Sequence, residues 1–203
     1  MERVLLADDH SLIRRGVQLI LKNNLNIEAV GEASNCCEVM SELQKGGYTH
    51  IILDLVLTDC MSLEIIPNIQ KLYPDLNIMV FSMLCKEIYG EALKQYGVYY
   101  YLQKNEDEEE TVRCIREFLF DYDSNRYKKR SGESDNPFSS LSARELEVLH
   151  YMLKGDGTKE ISNSLNLRMS TVSTIKGRIF EKTDTNNLKT LMQLSSLFNI
   201  NFV

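Results

Sequence analysis

Along the first 122 residues, short apolar runs alternate with amphipathic stretches. Strand-like runs cover 3–7, 27–31, 50–54, 77–82 and 98–102, and helical patterns follow near 12–23, 35–45, 62–72, 86–96 and 108–121. In the last of these, Val112, Ile115, Phe118 and Leu119 recur at helical spacing and mark a core-facing stripe. The central strands read as continuous apolar runs, Ile78-Met79-Val80-Phe81 for example. Such runs are covered on both faces, as in a parallel sheet, where a half-exposed antiparallel sheet would alternate. Five βα units of this length predict an α/β doubly wound domain with a five-stranded parallel sheet.

The pattern dissolves between Asp123 and Phe138, where Ser, Gly, Asn and Pro recur without apolar period. This stretch reads as a solvated linker, with Lys128-Lys129-Arg130 as a solvated charge run. Beyond it the chain is helical. Ser142 followed by Glu145 is a capping-box signature, opening a helix with Leu146, Leu149 and Leu153 on one face. Lys154-Gly155-Asp156-Gly157 stops that helix, and Thr158 is the natural cap of a short second one. A turn at Asn166-Leu167 leads to a third helix around Ser170–Lys182, and a fourth carries Leu188, Leu191, Met192 and Leu194. The chain therefore divides into an α/β domain (1–122), a linker (123–138) and an all-α four-helix domain (139–203).

Charge separates the two domains. The whole chain carries −6, yet residues 1–122 carry −9, the linker +1 and residues 139–203 +2. An acidic front and a mildly basic back suggest two jobs on one chain. The apolar run ahead of Asp8 is too short for a signal peptide or a membrane span, which predicts a cytoplasmic protein. Five cysteines without metal-type spacing read as free, mostly buried thiols in a reducing compartment, and three scattered histidines argue against zinc.

The candidate chemistry sits where strands should end. Asp8 and Asp9 follow the first strand, Asp54 the third, Ser82 the fourth and Lys104 the fifth. Parallel strands bring their carboxyl ends to one sheet edge, where ligands bind in open α/β folds. Three carboxylates, a hydroxyl and an ammonium would converge there. Close carboxylates repel one another unless a cation intervenes, and hard oxygen ligands suit Mg²⁺.

These residues resemble the receiver of two-domain bacterial response regulators of the LuxR/NarL type, whose receiver is flavodoxin/CheY-like. The opening Ala7-Asp8-Asp9-His10-Ser11-Leu12-Ile13-Arg14-Arg15-Gly16 is similar to that family's, and so are the 28 residues from Asp54 to Ser82 and the 22 from Ser82 to Lys104. Leu141-Ser142-Ala143-Arg144-Glu145-Leu146-Glu147-Val148-Leu149, then Lys159-Glu160-Ile161-Ser162, Thr171-Val172, Ile179 and Lys182, resemble its helix-turn-helix domain. The resemblance implies that Asp54 accepts a phosphoryl group from a histidine kinase or a small phosphodonor. It implies Mg²⁺ held by Asp9, Asp54 and the backbone carbonyl of Val56, with Asp8 acting through water. Lys104 would pair with a phosphate oxygen. Ser82 would swing in to the phosphate, and Tyr101 would turn inward in concert as the second switch residue.

For the second domain the resemblance implies that the third helix enters the major groove of double-stranded DNA. The outward candidates are Ser170, Thr171, Ser173, Thr174, Lys176 and Arg178, with Lys182 and Lys159 as further phosphate contacts. A homodimer is expected when the protein is phosphorylated or DNA-bound, with Leu188, Leu191 and Ser195 as candidate contacts. The implied activity is phosphoryl transfer to self followed by slow hydrolysis, not turnover of an outside substrate.

The chain also departs from the family's pattern. Thr58 replaces a usual proline, Ser62 and Tyr100 usual glycines, and Met83 a usual small residue beside the phosphoryl path. In the third helix Ser173 and Ile175 stand for a common lysine and histidine, and Arg168 for a serine cap, which delays the expected helix start to Ser170. Two rival functions follow: a slowly or never phosphorylated regulator whose helical domain contacts protein, and a Mg²⁺-dependent phosphatase. The phosphatase reading lacks a general acid, because Val56 occupies the second position after Asp54 where haloacid-dehalogenase-type enzymes carry Asp.

Overall fold

The computed structural model describes residues 2–120 and 136–197. Five parallel strands form one sheet in the order β2-β1-β3-β4-β5: β1 (Val4–Ala7), β2 (Val30–Ala33), β3 (His50–Leu53), β4 (Asn77–Ser82) and β5 (Tyr100–Gln103). Helices α1 (Ser11–Leu25) and α5 (Glu108–Phe120) cover one face. There Val17, Leu21, Ile115 and Phe118 meet Leu6, Ile52, Met79 and Leu102. Helices α2 (Cys36–Lys45), α3 (Ile66–Leu72) and α4 (Lys86–Leu93) cover the other. Alternate strand residues, Leu5, Ile51, Leu53, Ile78 and Val80, point to this second core. Both faces are thus buried, as the continuous apolar runs required.

Several boundaries differ from the sequence pattern. β2 starts at Val30 and not at residue 27, and β5 at Tyr100 and not at 98. Ile27 and Val98 are buried in the approach to each strand, so apolarity extends beyond the hydrogen-bonded ladder. The helix expected over 62–72 is a 3₁₀ turn at Ser62–Glu64 followed by α3, which carries Pro67 in its first turn. The one expected over 86–96 tightens to 3₁₀ at Lys94–Tyr96 and ends on Gly97 at φ 77°, a left-handed cap that glycine takes without steric cost.

The second domain comprises α6 (Ala143–Leu153), α7 (Thr158–Ser164), α8 (Met169–Lys182) and α9 (Leu188–Ser196). The capping box at Ser142 and Glu145 is formed. Thr158 is the first residue of α7, with Gly157 at the cap position, and α8 begins at Met169 rather than Ser170. No side chain caps α8, because Arg168 occupies its cap position. Phe138 is 0% exposed, so the end of the expected solvated linker belongs to the core. Lys128-Lys129-Arg130 lies outside the described residues. Of the last-helix candidates for a dimer contact, Leu191 and Ser195 are buried within the domain.

The two domains touch. The apolar core on the α2–α3–α4 side continues through Phe138 and Leu141 into the helical domain. Gln95 Nε2 donates to the Leu141 carbonyl at 3.0 Å, Ala143 N donates to Tyr96 OH at 3.1 Å, and Arg144 pairs with Glu64.

One expectation about cysteine is overturned. Cys36 and Cys60 are joined in a disulfide with Cα atoms 6.2 Å apart. Nothing in their 24-residue spacing announced it, because the pairing depends on how the β3–α3 loop returns to the start of α2.

Candidate functional site

The register of the sheet sets the site. Ala7 lies opposite Leu53, so Asp8 and Asp54 leave neighbouring strands at the same level. Leu53 lies opposite Val80, Ser82 opposite Gln103, and Lys104 N donates to the Ser82 carbonyl at 3.0 Å. The edge between β1 and β3 is where the strand order reverses, the usual ligand crevice of such sheets.

All five predicted residues converge there. Lys104 Nζ lies 2.5 Å from Asp54 Oδ2 and 2.7 Å from Asp8 Oδ2, with all three side chains almost fully buried. Ser82 Oγ donates to Asp54 Oδ1 at 2.7 Å, and Val56 N donates to the same oxygen at 3.2 Å. Burial raises the Asp54 pKa, and the opposing pull of Lys104 and Ser82 does not cancel it. Burial alone would lower the Lys104 pKa, but the Asp54 and Asp8 carboxylates reverse this and leave it raised.

The carboxylates have unused capacity. Asp8 Oδ2 and Asp9 Oδ1 are buried and accept no hydrogen bond of good geometry, although Lys104 and His10 lie at ion-pair distance from them. Ligand atoms of Asp8, Asp9, His10 and Asp54 all lie within 4.8 Å of one another. An oxygen-rich cluster with underused lone pairs fits a hard divalent cation. His10, whose Nδ1 lies 2.6 Å from Asp9 Oδ1, was not singled out in the sequence; its only signal was adjacency to the Asp8-Asp9 pair. Ser62, which replaces a usual glycine of the family, donates from its hydroxyl to the Asp54 carbonyl at 2.7 Å and fixes the backbone of that residue.

The two candidate switch residues already point inward. Ser82 bonds Asp54 directly, and buried Tyr101 donates from its hydroxyl to the Leu84 carbonyl at 2.8 Å. Burial also drives the Tyr101 pKa well up, so the phenol remains a donor. Met83, expected to border the phosphoryl path, is 66% exposed.

In the helical domain Val172, Ile175 and Ile179 are the buried face of α8. Ser170, Thr171, Ser173, Thr174 and Arg178 are exposed on the same helix, and Lys159 is exposed on α7. Ser173 and Thr174 bond back to the Met169 and Ser170 carbonyls, which leaves their oxygens able to accept. Lys176 is half-buried and reaches Thr158 Oγ1 at 3.3 Å. Lys182 is engaged within the domain, donating to Glu145 at 2.7 Å and to the Ser140 carbonyl at 2.9 Å.

An acidic cluster around a buried lysine at the edge of a 2-1-3-4-5 sheet, joined to a four-helix domain with one open helix face, defines a two-domain signalling protein. Residues 4–116 match the response regulator receiver domain, and residues 139–195 match the bacterial regulatory proteins of the luxR family. The chain belongs to the response regulators that couple a receiver to a LuxR-type helix-turn-helix domain. It is similar to the response regulator UvrY of Escherichia coli (strain K12), 29% identical over 90% of this chain and 88% of that one. It is also similar to the oxygen regulatory protein NreC of Staphylococcus carnosus (strain TM300), 28% identical over 95% and 94%. Among solved structures, RcsB of Salmonella enterica serovar Typhimurium, bound to a promoter in the presence of the phosphomimetic BeF3−, aligns with TM-score 0.71 at 25% identity. That alignment covers 96% of this chain and 98% of RcsB. Among the described residues no helix is long and apolar enough to cross a membrane.

Proposed function

We propose that this protein is a phosphorylation-controlled transcription regulator acting in the cytoplasm, with Asp54 as phosphoacceptor. The observation that carries the reading is the buried constellation around Asp54, in which an ammonium and a hydroxyl already touch the carboxylate. An Asp54 oxygen attacks the phosphorus of a phosphohistidine or of a small phosphodonor. The new P–O bond forms an acyl phosphate as the bond to the leaving group breaks. Lys104 exchanges its contact with Asp54 Oδ2 for a phosphate oxygen, and Ser82 donates to another. Asp9, Asp54 and the Val56 carbonyl would hold Mg²⁺, with Asp8 acting through water. Bound there, the ion would offset the charge on the transferring phosphoryl oxygens.

The helical domain is the output. Ser170, Thr171, Ser173, Thr174, Lys176 and Arg178 would meet double-stranded DNA along α8, with Lys159 adding a phosphate contact. Lys182 would join them only by leaving Glu145. The relatives support this reading: RcsB has been seen bound to promoter DNA with a phosphomimetic and, in another structure, as two dimers on two DNAs. A homodimer through the outer face of α9, where Leu188 is half-buried and Met192 exposed, would double the modest charge of one domain.

Incubation of the full chain with Mg²⁺ and a small phosphodonor tests the reaction. Intact mass should rise by one phosphoryl group in wild type and stay unchanged in Asp54→Asn. Phosphorylation that persists in Asp54→Asn, or none in wild type, would overturn the assignment. Repeated turnover of a phosphomonoester would favour the phosphatase instead.

A further inference from the structure

The β3–α3 loop, residues 54–61, is fastened to the first turn of α2 and to the residue before its cap. Asp59 Oδ1 accepts from Cys36 N at 2.7 Å and its Oδ2 from Cys37 N at 3.2 Å. Thr58 Oγ1 reaches the Ser34 carbonyl at 3.4 Å, and Cys60 is bonded to Cys36. Within the loop Val56 bridges Met61, and Leu57 N donates to the Cys60 carbonyl at 3.0 Å. Asp59 lies close enough to the two sulfurs to suggest a metal site. Its oxygens, however, already serve the first amides of α2, and the sulfurs are spent on each other.

We propose that Cys36 and Cys60 are a reversible thiol–disulfide pair, and that the pair makes the β3–α3 loop a redox-sensitive clamp. A disulfide in the reducing compartment proposed above is transient and sensing, where in a secreted protein it would be structural. The oxidant is a low-molecular-weight disulfide. One cysteine thiolate attacks it, forms a mixed disulfide and expels one small thiolate. The second cysteine thiolate then attacks the protein sulfur of that mixed disulfide and expels the other. Two cysteine thiols are oxidised, one small disulfide is reduced to two thiols, and the two protons pass to the departing thiolates. Reduction reverses the sequence, with a small thiol attacking at half-buried Cys60, which is more accessible than Cys36.

The neighbouring Cys37 does not substitute. It is exposed, but its own amide donates to Asp59, and that nearby carboxylate raises the thiol's pKa and disfavours the thiolate. The clamp matters because of what shares the loop. Thr58 stands where the family resemblance leads one to expect a rigid proline, so a cross-link supplies stiffness the backbone lacks. The same loop carries Val56, beside Asp54. It also lines a cleft of about 410 Å³ whose far wall is His150, Tyr151, Lys154 and Leu165 of the helical domain. Its redox state therefore reaches both the acceptor site and the domain contact.

The test uses the full chain, incubated with glutathione disulfide or with dithiothreitol, then alkylated, digested and mapped by mass. Oxidised wild type should yield the peptide of Cys36 linked to that of Cys60, and dithiothreitol should separate them. Amide hydrogen exchange over residues 55–61 should be at least ~10-fold slower in the oxidised protein. Cys60→Ser and Cys36→Ser should each exchange like reduced wild type in both buffers. A glutathione adduct on Cys37 with no linked peptide, or loop exchange indifferent to oxidation, would overturn the proposal. Neither readout involves phosphate or DNA, so a failure here is distinct from a failure of the phosphoacceptor assignment.

Discussion

Lys104 holds two carboxylates at once. Its ammonium lies within 2.7 Å of both Asp8 and Asp54 in a buried site, so it neutralises charge that would otherwise have no partner. Removing one member of a buried ion pair leaves an uncompensated charge and costs about 3–5 kcal/mol. Lys104→Ala should therefore be destabilised by about that amount in EDTA, and Mg²⁺ should restore more stability to it than it adds to wild type. Thermal melts with and without the metal measure this; equal Mg²⁺ shifts in the two proteins would contradict it. At this scale the sequence was informative because strand ends put Asp8, Asp54, Ser82 and Lys104 on one edge. It was silent where closure is long-range. The approach of Cys60 to Cys36 and the bond from Ser62 to the Asp54 carbonyl depend on the path of a loop, which no periodicity encodes.

Helix α6 carries an unusual pair of buried titratable groups. Glu147 is 0% exposed, and burial raises its pKa to about 7 despite its contact with Arg144, which also pairs with Glu64. Burial, helped by Lys154, lowers the His150 pKa to about 4. A carboxyl whose pKa is raised in the folded state stabilises most when protonated. Its contribution is complete below pH 4.5 and lost as pH rises to about 7. The histidine acts in the opposite sense: its contribution is present above pH 6.5 and lost as pH falls to about 4. The two slopes oppose each other, so α6 should contribute little pH dependence in wild type. Glu147→Gln removes one of them. The stability of the variant relative to wild type should rise by roughly 2–3 kcal/mol between pH 4.5 and 7. Urea denaturation across that range reads it, and a constant difference would show that Glu147 keeps an ordinary pKa. The helix itself was legible from Ser142, Glu145 and its leucine stripe; the burial of Glu147 was not, because it follows from the approach of the receiver.

As a whole, the molecule joins the domain that carries Asp54 and the domain that carries the open face of α8 in one connected structure. The intermediate parts are the 3₁₀ turn at Ser62–Glu64, α4 with its 3₁₀ extension, and α6. They are joined by Arg144 to Glu64, Gln95 to Leu141 and Tyr96 to Ala143. A change at Asp54 can bias this contact through Ser82 and Tyr101 only if the docked and released arrangements differ little in free energy. The two-domain division was legible from the loss of periodicity after residue 122. The docking was not, since it rests on side chains that look like ordinary surface polar groups in each domain.

The most direct measurement is binding of the full chain to duplex DNA by fluorescence anisotropy. It should be made with and without Mg²⁺ and beryllofluoride, at low and moderate salt, for wild type and Asp54→Asn. Wild type should bind more tightly with beryllofluoride, with an affinity that falls as salt rises because phosphate contacts release counterions, while Asp54→Asn should not respond. Equal affinity of wild type with and without beryllofluoride would contradict the proposed coupling of Asp54 to DNA binding through α8.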